Sequence, residues 1–262
     1  MVNNITVVIR NKNQSKALEF LLRNLNNRYS EDISEIIVID NESTDDSELI
    51  TNTYGAKFHT IKKFSYGGSA NLAAELASNN IVVIFSAHAY PISHDFFKQI
   101  KLKFENNSNL AGVRCLHNHN DYSKYINNIS AKDNPNGAGL IFCGSAFNKS
   151  VWETHQFKAD ITTFEDKEWT LRVLKNGFDI EFCPSIFNYN IKRTKRENHF
   201  RFKNELVGSY KLWHNNITYK SIIRSFFGDV FKVIKNSFLD MYYIIKRLLF
   251  KLYFINNKPD KY

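Results

Sequence analysis

Three short apolar runs limit what this chain can fold into: "ITVVIR" at 5–10, "EIIVID" at 35–40 and "IVVIFS" at 81–86. Each has a Val- and Ile-rich interior that is apolar without alternation. That is too short for a buried helix and fits a strand covered on both faces, as in a parallel sheet. The segments between the runs carry helical spacing. "SKALEFLLRNLNNR" (15–28) has Ser15 as an N-cap, and "STDDSELITNTYG" (43–55) has acids in its first turn and Gly55 at its end. "KFHTIK" (57–62) reads as a strand, and "SANLAAELASNN" (69–80) and "HDFFKQIKLKFENN" (94–107) as helices. This alternation predicts an α/β fold with a doubly wound, mostly parallel sheet.

Beyond residue 107 the rhythm breaks. "LAGVRCL" (110–116) predicts a strand, whereas residues 117–139 are polar with little periodicity and read as a long loop. A strand and turn follow at 140–148, then helices at 149–157 and 164–177 and a strand at 178–184 that Pro184 should stop. From about residue 218, Ser225, Asp229, Lys232, Asn236, Asp240, Tyr243, Arg247 and Lys251 form a narrow polar stripe on an otherwise apolar helix. The expected division is a globular domain at 1–215 and a basic amphipathic helical tail at 216–262.

The net charge of +9 belongs to the C-terminal part of the chain, tail included: residues 191–262 hold 16 Lys and Arg against 5 Asp and Glu. The basic residues lie in a Phe-, Ile- and Leu-rich helix without an aromatic RNA-binding motif, so no nucleic-acid partner is expected. Charges interrupt the helix too often for a membrane span, but an amphipathic helix edged with Lys and Arg suits an anionic membrane surface. The same pattern serves a helix packed on the domain or between copies in a homo-oligomer. Cys115, Cys143 and Cys183 are odd in number, widely spaced and set in apolar segments, which predicts reduced core thiols and a cytosolic protein. The N-terminus reads directly into a strand, so no cleavable signal is expected.

In open α/β sheets, ligands collect where strands end. Asp40 closes the second run; it either accepts hydrogen bonds from a nucleobase or ribose, or caps the turn before Ser43. Gly67-Gly68-Ser69 precedes a helix and offers backbone N–H groups to a phosphate, or makes a tight turn. Ser86-Ala87-His88 follows the third run with no carboxylate. Glu165 and Asp166 open a helix, where neighbours point in different directions and an anion is stabilised, suiting one of them to accept a proton. Ordinary first-turn acids have the same pattern. Cys115, His117 and His119 alternate, but a second zinc-ligand pair is absent. Trp152 and Trp169 sit at core-facing positions; Trp169, one turn after the acids, is the better placed to line a cleft.

Taken in order, "VVIRNKNQ", "IIVIDNESTDD", "FSYGGSANLAAELA", "IVVIFSAHAYP", "GSAFNKSVWETHQF" and "FEDKEWTLRVLKNGFDIEFCP" make the sequence resemble the family 2 glycosyltransferases of bacterial surface polysaccharides. The resemblance spans roughly residues 4–190 and implies a GT-A fold, a Rossmann-like, mostly parallel central sheet flanked by helices. It implies a donor-nucleotide site from Ile9, Arg10, Asn11, Asp40, Ser69, Asn71, Ser86, Ala87 and His88. Glu165 and Asp166 match the family's catalytic pair, with Asp166 as the base and Glu165 as acceptor ligand or alternate. Gly144, Ser145 and Trp169 fall on the acceptor side. Ser86-Ala87-His88 stands where the family carries Asp-x-Asp, which holds a divalent metal against the donor diphosphate. Weakly held Mn²⁺ or Mg²⁺ on His88 is one expectation; direct bonds from His88, Lys or Arg to the diphosphate are the other.

The implied reaction is inverting transfer from a UDP- or dTDP-linked sugar to a glycan or lipid-linked glycan for capsule, lipopolysaccharide O-antigen or a similar polymer. The tail then implies a cytoplasmic enzyme peripheral on the inner membrane face. A catalytically inactive nucleotide-sugar-binding or regulatory module is the alternative.

Overall fold

The computed structural model describes residues 5–189, 191 and 193–261; residues 1–4, on which the reading of the N-terminus bears, lie outside them. The chain alternates as expected through β1 (Ile5–Asn11), α1 (Ser15–Tyr29), β2 (Ile33–Asp40), α2 (Ser47–Thr53), β3 (Lys57–Thr60), α3 (Tyr66–Leu76), β4 (Ile81–Ser86), a short β5 (Ala89–Pro91) and α4 (Phe96–Asn106). It continues through β6 (Leu110–Leu116), α5 (His119–Ile126), α6 (Pro135–Ala138), β7 (Ser145–Asn148), α7 (Lys149–Thr154), α8 (Glu165–Lys175), β8 (Asp179–Tyr189) and α9 (Lys195–Trp213), and then α10 (Tyr219–Asn256).

The eight strands form one sheet in the order β3-β2-β1-β4-β7-β6-β8-β5. Strands β1 to β4 pair in parallel, as do β6 and β8, while β7 and β5 run antiparallel to their neighbours. A register pairing Asn11 with Asp40 and Arg10 with Ser86 brings three strand ends side by side. Side chains alternate across the sheet, so Val7 and Ile9 enter one core cluster and Val8 the other. Leu18, Leu21, Leu22 and Leu25 of α1 recur at helical spacing and seal the first face. Each such buried side chain contributes about 1.5–3 kcal/mol.

The structure differs from expectation at several points: α1 begins at Ser15 itself, so Gln14 and not Ser15 is its N-cap, and β5 was not foreseen. The 117–139 stretch holds α5 and α6: Asn118 caps α5 by accepting from the Asp121 N–H, and Asn134 caps α6 by accepting from the Gly137 N–H. β8 passes through Pro184 to Tyr189, absorbed by a register shift between Cys115 and Leu116 of the neighbouring strand. α3 begins at Tyr66, with Ser65 accepting from the Gly68 N–H, so the glycines lie inside the first turn. α9 was not foreseen.

The chain divides into two compact units, 1–212 and 213–262. In the second, Thr218 and Ser221 form a capping box at the start of α10, in which no residue is buried. Among the described residues no helix is long and apolar enough to cross a membrane.

Candidate active site

At the joined strand ends, Asn11 Nδ2 donates to Asp40 Oδ1 (2.7 Å) and to Ser47 Oγ (2.8 Å). Asp40 also accepts from the Ser43 N–H (2.7 Å) and hydroxyl (2.6 Å) and is 2% exposed. The turn-capping bonds are therefore present. Arg10 is buried; it donates to Ser69 Oγ (3.3 Å) and the Phe142 carbonyl (3.1 Å), between the Tyr66 and Phe142 rings.

Several expected site residues belong to the framework instead. Ile9 and Ala87 are core residues, and Ala87 N–H donates to the Arg10 carbonyl. Ser69 is buried, its hydroxyl donating to the Tyr66 carbonyl while accepting from Arg10. Asn71 spends its amide on Phe157 and Trp152: it donates to the Phe157 carbonyl and accepts from the Phe157 N–H and the Trp152 indole, each at 2.9 Å. Gly67 serves packing, since a Cβ there would lie 2.2 Å from the Lys158 carbonyl oxygen. On the acceptor side, Trp169 is fully buried against Phe147 and Phe157, with its indole donating to the His155 carbonyl. Ser145 is fully buried in β7. Gly144 adopts φ +73° with its N–H on the Ile84 carbonyl, and a Cβ there would meet the Phe187 ring at 2.5 Å. None of these three can line a cleft.

Glu165 and Asp166 do line one. A cavity of about 630 Å³ is bounded by them, by Phe142 and Cys143, by Phe187 and Tyr189 of β8, and by the α9 face bearing Phe200 and Arg201. Phe164, in the left-handed region at φ 69°, turns the chain into α8 just ahead of the acids. Asp166 accepts from the Phe142 N–H (3.1 Å) and its own neighbour's, Lys167 (2.8 Å), so its two oxygens are fixed at the cavity wall. Glu165 is 4% exposed; burial, then the neighbouring Asp166 charge, push its carboxyl well above the usual range against the pull of Arg10. Lys167 turns inward to the Gly139 (3.2 Å) and Leu140 (2.8 Å) carbonyls, and burial brings its ammonium down to about 8.

Sequence reasoning missed the Arg114–Asp121 pair that borders this cavity and weighed His117 only as a zinc ligand. Arg114 donates to Asp121 (2.6 Å) and the Gly139 carbonyl (2.9 Å), and His117 pairs with the same Asp121 (2.6 Å) while stacking on Phe187. It also missed Arg193, which lines the cavity just past β8. Arg114 lies in the predicted strand at 110–116 but its partner Asp121 falls in the stretch read as loop, so the pair was not marked.

His88 stands apart. It borders a separate cavity of about 290 Å³ with Lys16, Phe20 and Tyr90. Tyr189, which lines the larger cavity, meets its ring edge-on at 5.0 Å. Its Nδ1 contacts Gln14 Oε1 (2.8 Å), which assigns the proton to Nδ1 and a lone pair to the buried Nε2. Burial, then the Arg193 charge, hold this imidazole below its usual pKa. Mg²⁺ and Mn²⁺ bind several hard oxygen ligands. Ser86-Ala87-His88 offers one buried ring nitrogen near a guanidinium and no carboxylate. Among the described residues no three His, Cys, Asp or Glu side chains are grouped to hold a metal. This strand end thus offers a divalent metal a single ring nitrogen, a poor fit to a cation that binds through several hard oxygens.

The eight-stranded sheet and its flanking helices have the GT-A fold seen in solved glycosyltransferases. The sequence model described as "Glycosyl transferase family 2" matches residues 6–158, and the chain belongs to that family. It is 28% identical over 218 residues to a dolichyl N-acetyl-alpha-D-glucosaminyl phosphate 3-beta-D-2,3-diacetamido-2,3-dideoxy-beta-D-glucuronosyltransferase from Methanococcus voltae (71% of this chain, 66% of that one). It is 26% identical over 170 residues to the O-antigen chain rhamnosyltransferase WbaN from Salmonella anatum (57% and 54%). The chain thus spans less than two thirds of the length of either relative. Among solved structures, the mannosyltransferase PcManGT from Pyrobaculum calidifontis, in complex with GDP-Man and Mn²⁺, superposes with a TM-score of 0.64 at 18% identity, over 83% of this chain and 66% of that one.

Proposed function

We infer that this chain is an inverting glycosyltransferase that moves a sugar from a UDP- or dTDP-linked donor to a hydroxyl of a bacterial surface glycan. The supporting observation is Asp166, whose oxygens are held by two backbone N–H groups at the wall of a cavity large enough for two sugar units. Asp166 takes the acceptor proton as the acceptor oxygen bonds to the anomeric carbon. The bond to the donor diphosphate breaks on the opposite face, and its electron pair leaves with the diphosphate. Glu165, kept protonated by burial, adds no second negative charge beside the base and can donate its O–H to the acceptor. Asn11 and Asp40 form the nucleotide end, where Asp40 keeps lone-pair capacity beyond its capping bonds. The two curated relatives act on an O-antigen chain and a dolichyl-phosphate-linked sugar, which supports a polymeric or lipid-linked acceptor. Residues 1–215 carry the chemistry, and the basic tail at 216–262 holds the enzyme on the inner membrane face.

The test is turnover of UDP- and dTDP-sugars by the wild type and Asp166→Asn. The variant should lose about 10²–10⁴-fold in rate while retaining nucleotide binding. Undiminished turnover would remove Asp166 as the base, and a product of retained anomeric configuration would remove the inverting mechanism. Nucleotide binding without turnover of any donor would favour a binding module, the reading that the missing carboxylates at 86–88 suggest.

A further inference from the structure

The leaving diphosphate carries charge that must be met, and the strand end that would hold a metal carries no carboxylate. The larger cavity is lined by four permanently or largely cationic side chains: Arg114, Lys167, Arg193 and Arg201. Three are already committed. Arg114 is ion-paired with Asp121 in the interior, Arg201 is paired with Glu205, and Lys167 is turned onto two carbonyls. Arg193 differs. It is half-buried, donates to the Tyr189 hydroxyl (3.2 Å) and lies over that ring at 5.9 Å. Among the described residues no carboxylate stands within ion-pair distance of it. Glu197, which feels its charge, has one oxygen occupied by the Thr194 N–H and hydroxyl. Arg193 therefore presents to the cavity that Asp166 lines a guanidinium that makes no ion pair among the described residues, and Tyr189, which it contacts, also meets the His88 ring.

We propose that Arg193, rather than a divalent cation, neutralises the departing nucleotide diphosphate, so that nucleotide binding and transfer by this chain are independent of Mg²⁺ and Mn²⁺. This rests on the glycosyl-transfer reading. A guanidinium matches two phosphate oxygens at once and remains charged at every working pH, so it performs the charge compensation without a metal. As the anomeric C–O bond breaks, the electron pair passes to the diphosphate oxygen facing Arg193, and the acceptor proton goes to Asp166. Placed just past β8 on the wall of the same cavity as the acids, Arg193 needs no anchor at 86–88.

The experiment is calorimetric titration of the full chain with UDP and with dTDP, in chelator and in excess Mn²⁺, for wild type, Arg193→Lys and Arg193→Ala. Wild-type affinity should change less than about twofold between chelator and Mn²⁺, whereas Arg193→Ala should weaken binding about 10- to 100-fold. Arg193→Lys should fall between them, because an ammonium keeps the charge but loses the two-pronged geometry. A tenfold gain in wild-type affinity on adding Mn²⁺ would overturn the proposal and leave the glycosyltransferase reading intact; this arm needs no variant to fold. Wild-type affinity in a folded Arg193→Ala would overturn it equally. Absence of binding to either nucleotide in both conditions would remove the proposal and the reading beneath it.

Discussion

Glu165 and Asp166 are neighbours in sequence, yet burial gives them different protonation behaviour. A buried carboxyl whose folded pKa is raised favours the protonated state. The folded protein therefore loses stability as pH rises through the ordinary glutamate range and stops losing it only above the folded pKa. Glu165→Gln removes that penalty. Melting temperatures followed from acid to mildly alkaline pH should show the variant gaining on wild type as pH rises; a constant difference would mean that Glu165 is ionised in the fold. Asp121 behaves oppositely. Burial pushes its carboxyl up, but the bond from His117 and the charge of Arg114 outweigh that and set it below the usual range. Its contribution is present above the ordinary aspartate pKa and is lost as pH falls through the folded one. Asp121→Asn leaves the Arg114 charge buried without its partner and should cost about 3 kcal/mol in urea unfolding at neutral pH. The acidic pair was legible in the sequence because a helix start is a local signal. Arg193 and Arg114 were not, since their importance comes from partners on other elements.

At the level of elements, the β1–β2–β4 core was readable because unbroken Val and Ile runs carry their own burial signal. Residues 117–139 hid α5 because its one buried residue, Asp121, is polar and is held by charge rather than by an apolar stripe. Pro184 misled because a strand can carry proline where pairing shifts register. The glycines at 67–68 also show the limit of local reading. They suggested a phosphate loop, whereas α3 needs the missing Cβ of Gly67 to approach the 158–159 backbone. Gly67→Ala places a carbon against a carbonyl oxygen that cannot rotate away. Overpacking of this kind costs about 1–3 kcal/mol, so the variant should melt several degrees lower, by circular dichroism, than wild type. Gly55→Ala is a poor control because of its positive φ, but Gly228→Ala in α10, with open space at its Cβ, should leave the melting point unchanged or raise it.

For the whole molecule, charge and apolar surface are concentrated in one unit. α10 exposes Phe226, Phe227, Phe231, Phe238 and Phe250 among many aliphatic residues, interleaved with Lys232, Lys235, Lys246, Arg247 and Lys251. Exposed apolar surface of this extent is typical of interaction sites, and on the proposed membrane role its edging with cations would favour an anionic lipid surface over a neutral one. Each Lys or Arg near such a surface contributes about 1 kcal/mol, and that attraction is screened by salt, whereas the aromatic insertion is not. Two arms of a vesicle sedimentation assay separate these terms. The full chain should bind phosphatidylserine-containing vesicles far better than neutral ones, and added salt should remove most of the difference. Lys232→Glu with Lys246→Glu and Arg247→Glu should abolish the preference for anionic lipid while leaving UDP affinity as in wild type, because none of the three lies in the unit that holds the cavity. Equal binding to neutral and anionic vesicles would assign the tail to another partner, a second copy of the chain being the first to test by light scattering.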